Sequence, residues 1–297
     1  MILLRRHVLL GLGATGLAGC TTRAPPPTVP PRQTIVEPPP ADPAPPPRLR
    51  FSGPAQQGGA IIGLTGPGAS VRLDGVEVTT ASADGYFIIG FDRDAAGTAT
   101  VGATGASETL AIKPGDYDIQ RINGLRQDTV TPEAPATLAK IAAEAERKAA
   151  GFASNVAADW FKDGFDMPLE YTRVSGRFGG QRILNGTPSR PHYGADLAAP
   201  KGTPVRAPCG GIVSFAETGL HFEGGLIMID HGQGLVTAYL HLSKVEVQKG
   251  QMLNRGQKIG EVGSEGRATG PHLCWRMKWR NRNLDPTLLV GAKAPKN

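Results

Sequence analysis

The sequence predicts a mainly β protein, and three observations lead there. Its 297 residues include 40 glycines and 26 prolines, with only 6% aromatics. That composition favours short strands, tight turns and an unstructured stretch over long helices. Apolar residues recur in short runs, alternating or continuous, that end at turn signals. Hydrophobic residues at 40% against 20% charged supply a core for one large domain or two modest ones, plus tails. No window holds about 18 consecutive apolar residues, which excludes a polytopic membrane protein. Three cysteines are too few for a disulfide-built fold.

The elements follow in order. Residues 1–19 read as a lipoprotein signal peptide: Arg5 and Arg6 are a positive start, and Val8 to Ala18 is an apolar run too short to span a bilayer. Leu17-Ala18-Gly19-Cys20 resembles a bacterial lipobox, which makes Cys20 the lipidation site. The arginine pair also loosely resembles a twin-arginine export signal. The alternative is a buried N-terminal helix with an incidental cysteine, and the polar, proline-rich sequence that follows argues against it. Thr21, where an aspartate would retain a lipoprotein at the inner membrane, directs it to the outer membrane of a Gram-negative host. The expected location is therefore the periplasmic face of the envelope.

Residues 20–50 read as a tether. Twelve of the 23 residues from Pro25 to Pro47 are proline, and such a stretch extends to roughly 70 Å at about 3.1 Å per residue. The alternative use is a docking site for a proline-reading partner. Residues 51–130 read as a small β-sandwich-like domain: Val71 to Leu73, a turn at Asp74-Gly75, then Val76 to Val78, with a second turn at Asp84-Gly85 before Tyr86 to Ile89. It has no histidine or cysteine, so its role is structural or in positioning. Residues 131–165 hold a linking helix, starting near Thr131-Pro132-Glu133, with Leu138, Ile141, Ala145, Ala149 and Phe152 at helical spacing. Alanine dominates that stripe, which favours packing on a neighbour over a membrane. Residues 166–297 read as an antiparallel β domain, with buried strands at Gly211 to Phe215 and Leu226 to Ile229.

Charge is uneven. From Tyr171 to Asn297 there are 17 Lys and Arg against 8 Asp and Glu. The excess suits nucleic acid, an anionic lipid or an acidic wall polymer, or is simply a solvated basic face. Nucleic acid is the weakest of these, because the chain carries an export signal and lacks the aromatic stacking pattern of single-strand readers.

Five of the six histidines, His192, His221, His231, His241 and His272, lie in the last domain. His192-Tyr193-Gly194-Ala195-Asp196 places an imidazole and a carboxylate four residues apart, and both are good zinc ligands. On a strand, Tyr239 and His241 share a face, as do His272 and Cys274. Gly263 to Pro271 holds three glycines and must be a loop. Gly194, Gly202 and Gly211 read as turn or close-approach glycines. The segment from Gly179 to Gly186 lies just before the site and is a candidate cover for it.

HYGAD, YLHLS, and GRATGPHLC after KGQMLNRGQKIGEVG, in this order and spacing, resemble the lysostaphin/LytM-type metallopeptidases (metallopeptidase family 23), zinc endopeptidases that cut peptide bonds in bacterial peptidoglycan. The likeness runs from about Gly176 to Leu289. It implies an antiparallel β domain with a groove across its sheet, acting on peptidoglycan stem peptides. It also implies Zn2+ held by His192, Asp196 and the residue at position 274. There the family's HxH motif has histidine and this chain has Cys274. His241 and His272 would be the catalytic pair, flanking the water and the scissile carbonyl, with the base and oxyanion roles undivided. His231 reads as structural and His221 as rim. Thiolate binds zinc well, at about 2.3 Å, but makes the site less electrophilic. The alternative for Cys274 is a disulfide with Cys209. Some relatives have lost ligands and act as regulators of other wall hydrolases. The competing reading is therefore an inactive LytM-domain activator of a cell-wall amidase.

Overall fold

A computed structural model describes residues 49–296. The signal peptide, Cys20 and the tether up to residue 48 lie outside the described residues.

The first part of the described chain is two small antiparallel sheets. Strands β1 (Arg50–Ser52), β2 (Ala60–Leu64) and β5 (Tyr86–Gly90) form one. Strands β3 (Ser70–Leu73), β4 (Val76–Thr80), β6 (Thr98–Ala103) and β7 (Ala106–Ala111) form the other. Between β3 and β4, Asp74 and Gly75 take φ of 53° and 84°, the left-handed pair that a two-residue hairpin turn requires. In β3 only Val71 and Leu73 are buried, the alternation of a strand with one wet face. β2 is buried throughout and β5 nearly so, because their outer side meets the C-terminal part. A Cβ on Gly90 would sit 2.9 Å from Leu284. The Gln233 amide donates to the Tyr86 carbonyl at 3.0 Å. One apolar cluster thus joins Ile61, Phe87 and Ile89 to Leu235, Met277, Trp279 and Leu284.

A connector follows: β8 (Ile119–Ile122), a single turn α1 (Gln127–Val130), and α2 (Pro135–Phe152) with proline in its first turn. Of the predicted apolar stripe, α2 packs Phe152 against the sheet and half-buries Ile141, but leaves the rest exposed. Leu138 is 46% exposed, and Ala145 and Ala149 also face solvent. Glu144 and Gly151 are buried instead. The reason is polar docking. The Glu144 carboxylate accepts the His221 backbone N–H at 3.0 Å, Lys148 pairs with Glu223 at 2.8 Å, and Arg147 pairs with Glu217 at 2.9 Å. Gly151 provides the close approach to Met228 and Phe215.

The rest is strand and two short 3-10 turns, Trp160–Asp163 and Pro286–Leu289. The strands are β9 (Arg173–Gly176), β10 (Gln181–Leu184), β11 (Thr187–Pro188), β12 (Ala195–Ala198), β13 (Pro204–Arg206), β14 (Gly211–Leu220) and β15 (Gly224–Asp230). Then come β16 (Leu235–Leu242), β17 (Lys244–Val245), β18 (Met252–Leu253), β19 (Lys258–Glu261), β20 (His272–Trp279) and β21 (Arg282–Leu284). The main sheet runs β18-β14-β15-β16-β20-β12-β9, with β21 beside β20. The strands β13, β19 and β17 form a second sheet, and β8 pairs in parallel with β10 beside β11. The protein is mainly β with antiparallel sheets, as the sequence predicts.

The main sheet has two unlike faces. On one, Leu197, Tyr239, Leu273 and Trp275 pack with Val205, Ile259 and Val262. Each fully buried side chain of this size contributes about 1.5–3 kcal/mol relative to exposure. On the other, Leu226, Met228, Ala238, Leu240 and Cys274 form a smaller cluster with Phe152 of α2 against it. The connector therefore lies on the sheet face that carries Cys274.

Candidate metal centre

β12 and β20 are neighbours, and their register sets Asp196 directly opposite Cys274 and Ala198 opposite His272. Cross-strand partners share a face, so carboxylate and thiol come together without any loop. His192 lies three residues before β12. Its backbone donates to the Gly180 carbonyl at 2.8 Å and accepts from Gly179 N–H at 2.7 Å. So anchored, its Nε2 sits 3.3 Å from the Cys274 sulfur and 3.2 Å from Asp196 Oδ1. Gly176 on β9 makes room: a Cβ there would come within 2.6 Å of Asp196 Oδ2.

His241 reaches this cluster by breaking its strand. Strict alternation would put it on the inner face with Tyr239, which packs beside Trp275. Instead Gly225 pairs with Leu242 while Ile227 pairs with Tyr239, so Leu240 and His241 together oppose Leu226. That is a β-bulge, and His241 holds its left-handed residue at φ 65°. Such a conformation costs a non-glycine residue about 1–3 kcal/mol. It turns the imidazole to the outer face, with ring centroids of His241 and His272 4.8 Å apart. His272 Nε2 lies 3.7 Å from Asp196 Oδ1. The expectation that Tyr239 and His241 share a face is thus corrected by one extra residue.

The tautomers are fixed alike. A carbonyl can only accept, so Nδ1–H donates in each case: His192 to Arg177 O at 3.3 Å, His241 to Glu265 O at 2.8 Å and His272 to Gly270 O at 2.8 Å. Each Nε2 is left as a lone pair facing the cluster. Asp196 Oδ1 is buried without a hydrogen-bond partner. Three potential ligand atoms, His192 Nε2, Asp196 Oδ1 and Cys274 Sγ, therefore lie within 4.8 Å of one another, and the one proton among them, on the Cys274 thiol, is the one a bound cation displaces. A borderline-soft divalent cation is what such an N/O/S set fits, with three protein ligands and an open position.

Burial dominates the electrostatics. It pushes His241 down to about 3 and lowers His192. Burial, then the Asp196 charge, pushes the Cys274 thiol up to about 12, against the pull of Arg276 and Arg182. Burial raises Asp196, and the Arg182 guanidinium pulls it the other way.

The remaining sequence candidates fall elsewhere. His231 is fully buried between the Gly210 carbonyl at 2.6 Å and Thr237 Oγ1 at 2.7 Å, outside the donor cluster. His221 rests on the Phe222 ring. Cys209 and Cys274 are both free. Cys209 belongs to another apolar cluster and its thiol donates to the Trp160 carbonyl at 3.1 Å, so the disulfide alternative is not formed. Two groups escaped the sequence reading. Arg182, on β10 within the candidate cover, bonds Asp196 Oδ2. Arg276 follows His272 and Cys274 on the outer face of β20, and the H-x-C-x-R alternation was its signal.

Residues 190–286 match the model of peptidase family M23. The C-terminal domain is an M23 peptidase domain. Similar curated proteins are the peptidoglycan DD-endopeptidase ShyA of Vibrio cholerae, 42% identical over 115 residues (38% of this chain, 26% of that protein), and the DD-carboxypeptidase/endopeptidase Mpg of Neisseria meningitidis, 40% identical over 126 residues (42% and 29%). The match thus spans under a third of the length of these relatives. A crystal structure of an M23 peptidase from Pseudomonas aeruginosa superposes with a TM-score of 0.61 at 26% identity, covering 80% of this chain and 95% of that one. The similarity to that structure extends beyond the M23 domain into the N-terminal sheets.

Proposed function

We propose that the protein is a zinc-dependent endopeptidase that cleaves peptide bonds in peptidoglycan during wall remodelling. The carrying observation is the convergence of His192 Nε2, Asp196 Oδ1 and Cys274 Sγ, with two further imidazoles presenting free Nε2 atoms beside it. When bound, zinc supplies Lewis acidity toward the scissile carbonyl. His192, Asp196 and Cys274 hold it. His241 and His272 share two tasks through Nε2: one takes the proton of the attacking water, and the other hydrogen-bonds the developing oxyanion. The kinship with named DD-endopeptidases supports wall stem peptides as substrate. The lipobox-like Leu17 to Cys20 and the proline tether support anchoring in the envelope, with the domain reaching toward the wall.

The test is digestion of purified peptidoglycan with zinc and mild reductant, a chelator control, and mass spectrometry of the products. Muropeptides with a newly cut peptide bond, absent with chelator, are expected. A second reading, a non-catalytic activator of a wall amidase, draws on one observation: Arg182 already occupies Asp196 Oδ2. Folded protein that binds sacculi but cuts nothing would favour it.

A further inference from the structure

Cys274 brings a second anionic ligand. With His192 neutral, an Asp–His–Cys set carries two negative charges, where a second histidine would leave one. A divalent ion is then fully neutralised by its ligands and loses electrophilicity. The structure sets an arginine side chain beside each anionic ligand. Arg182 bonds Asp196. Arg276 runs beside Cys274: a Cβ on Gly194 would meet both Arg276 Cγ, at 2.7 Å, and the Cys274 sulfur, at 3.2 Å. Gly194 is thus a close-approach glycine whose missing side chain lets Arg276 lie there.

Arg276 has no better partner. Among the described residues it forms no ion pair, and its Nε is buried without a hydrogen bond. Asp196 Oδ2 is taken by Arg182, and Glu223, the next carboxylate, is held at both oxygens by Lys148 at 2.8 Å. A guanidinium drawn from water without an anion is costly. The one group beside it that acquires negative charge on metal binding is the Cys274 sulfur.

We propose that Arg276 is a positioning residue of the metal centre, which donates to the Cys274 sulfur as a ligand and offsets the extra negative charge that cysteine brings in place of histidine. The inference rests on the zinc reading of the site. Partners of this kind orient ligands and typically change metal affinity or activity by about 10–100-fold when removed.

The test is a double-mutant cycle on the full chain, with zinc affinity measured by competition with a chromophoric chelator. Cobalt substitution reports the thiolate-to-metal absorption band. In the native background, Arg276→Met is expected to weaken zinc binding about 10–100-fold and to shift the cobalt–thiolate band, while Arg276→Lys recovers most of the affinity. In the Cys274→His background, Arg276→Met should leave affinity unchanged or raise it, because a guanidinium beside a net-positive site only repels. A merely structural arginine would cost the same in both backgrounds, and that equality overturns the proposal. So does an Arg276→Met protein with native affinity and an unshifted band. If the native chain binds no zinc at all, the metal reading fails, and this inference with it. Melting of the metal-free variants separates misfolding from lost affinity, and the Lys variant carries the test if Met unfolds.

Discussion

Along β20, Leu273, Trp275, Met277 and Trp279 are all at most 1% exposed in apolar clusters, while His272, Cys274, Arg276 and Lys278 stand on the opposite side. The strand thus carries the core on one face and the chemistry on the other, at a period of two. The two faces also obey different rules. The inner face needs volume and apolarity, which many residues supply. The outer face needs particular atoms at particular distances, and it accepts strain at His241 and desolvated charge at Arg276 and Asp196 to have them.

The sharpest way to separate the faces is Asp196→Ala. Zinc binding is expected to fall below detection and wall cleavage to background, with an unchanged circular dichroism spectrum. Full zinc occupancy in that variant would break the site assignment. On the inner face, Leu273→Ala should destabilise by about 2–5 kcal/mol in urea unfolding, while the protein still folded keeps its metal stoichiometry. If the metal is lost first, the faces are not independent.

His231 tests whether burial of a histidine away from the outer face has its own signature. Burial, countered by the Gly210 carbonyl and the Asp230 charge, brings its pKa from 6.5 down to about 4. Above pH 6.5 the imidazole is neutral in both folded and unfolded states and stability is unaffected by it. As pH falls from about 6.5 to about 4 the unfolded chain takes the proton first, and about 3 kcal/mol of stability is lost. His231→Asn should reduce the slope of stability against pH in that window by close to one proton, about 1.4 kcal/mol per pH unit. An unchanged slope would show that His231 does not titrate this way.

Cys274→His is milder. It should keep one zinc per chain and retain or raise cleavage, read by metal analysis and muropeptide release; a protein without zinc would mean that position 274 is not a ligand. Smallest is Leu138→Ala on the exposed side of α2, within about 0.5 kcal/mol. A larger loss in thermal unfolding would mean that this part of the helix's apolar stripe is buried against something after all.

Much of this was legible from local pattern. The Asp74-Gly75 hairpin, the buried runs of β14 and β15 and the all-β C-terminal part follow from turn chemistry and short-period hydrophobicity. HxxxD and HxC each carry ligand types, but His192, Asp196 and Cys274 were grouped as one set through the resemblance to the lysostaphin/LytM-type metallopeptidases. The bulge at His241 could not be read, since it depends on which residue of β15 opposes it. The buried face of α2 was also hidden, because Glu144 and Lys148 find their partners, His221 N–H and Glu223, some 75 or more residues away in sequence.

The sequence by itself determined the class of the fold and many of the strand and turn elements, because each rests on residue type and spacing within one segment; the set of side chains able to hold a metal came from the family motifs it carries. Only the tertiary structure decided that Cys274 stays free of Cys209 and faces Asp196, that His241 turns outward, and that Arg182 and Arg276 each flank an anionic ligand. Those outcomes depend on strand register and on which buried charges meet. Both are set by packing between segments far apart in the chain.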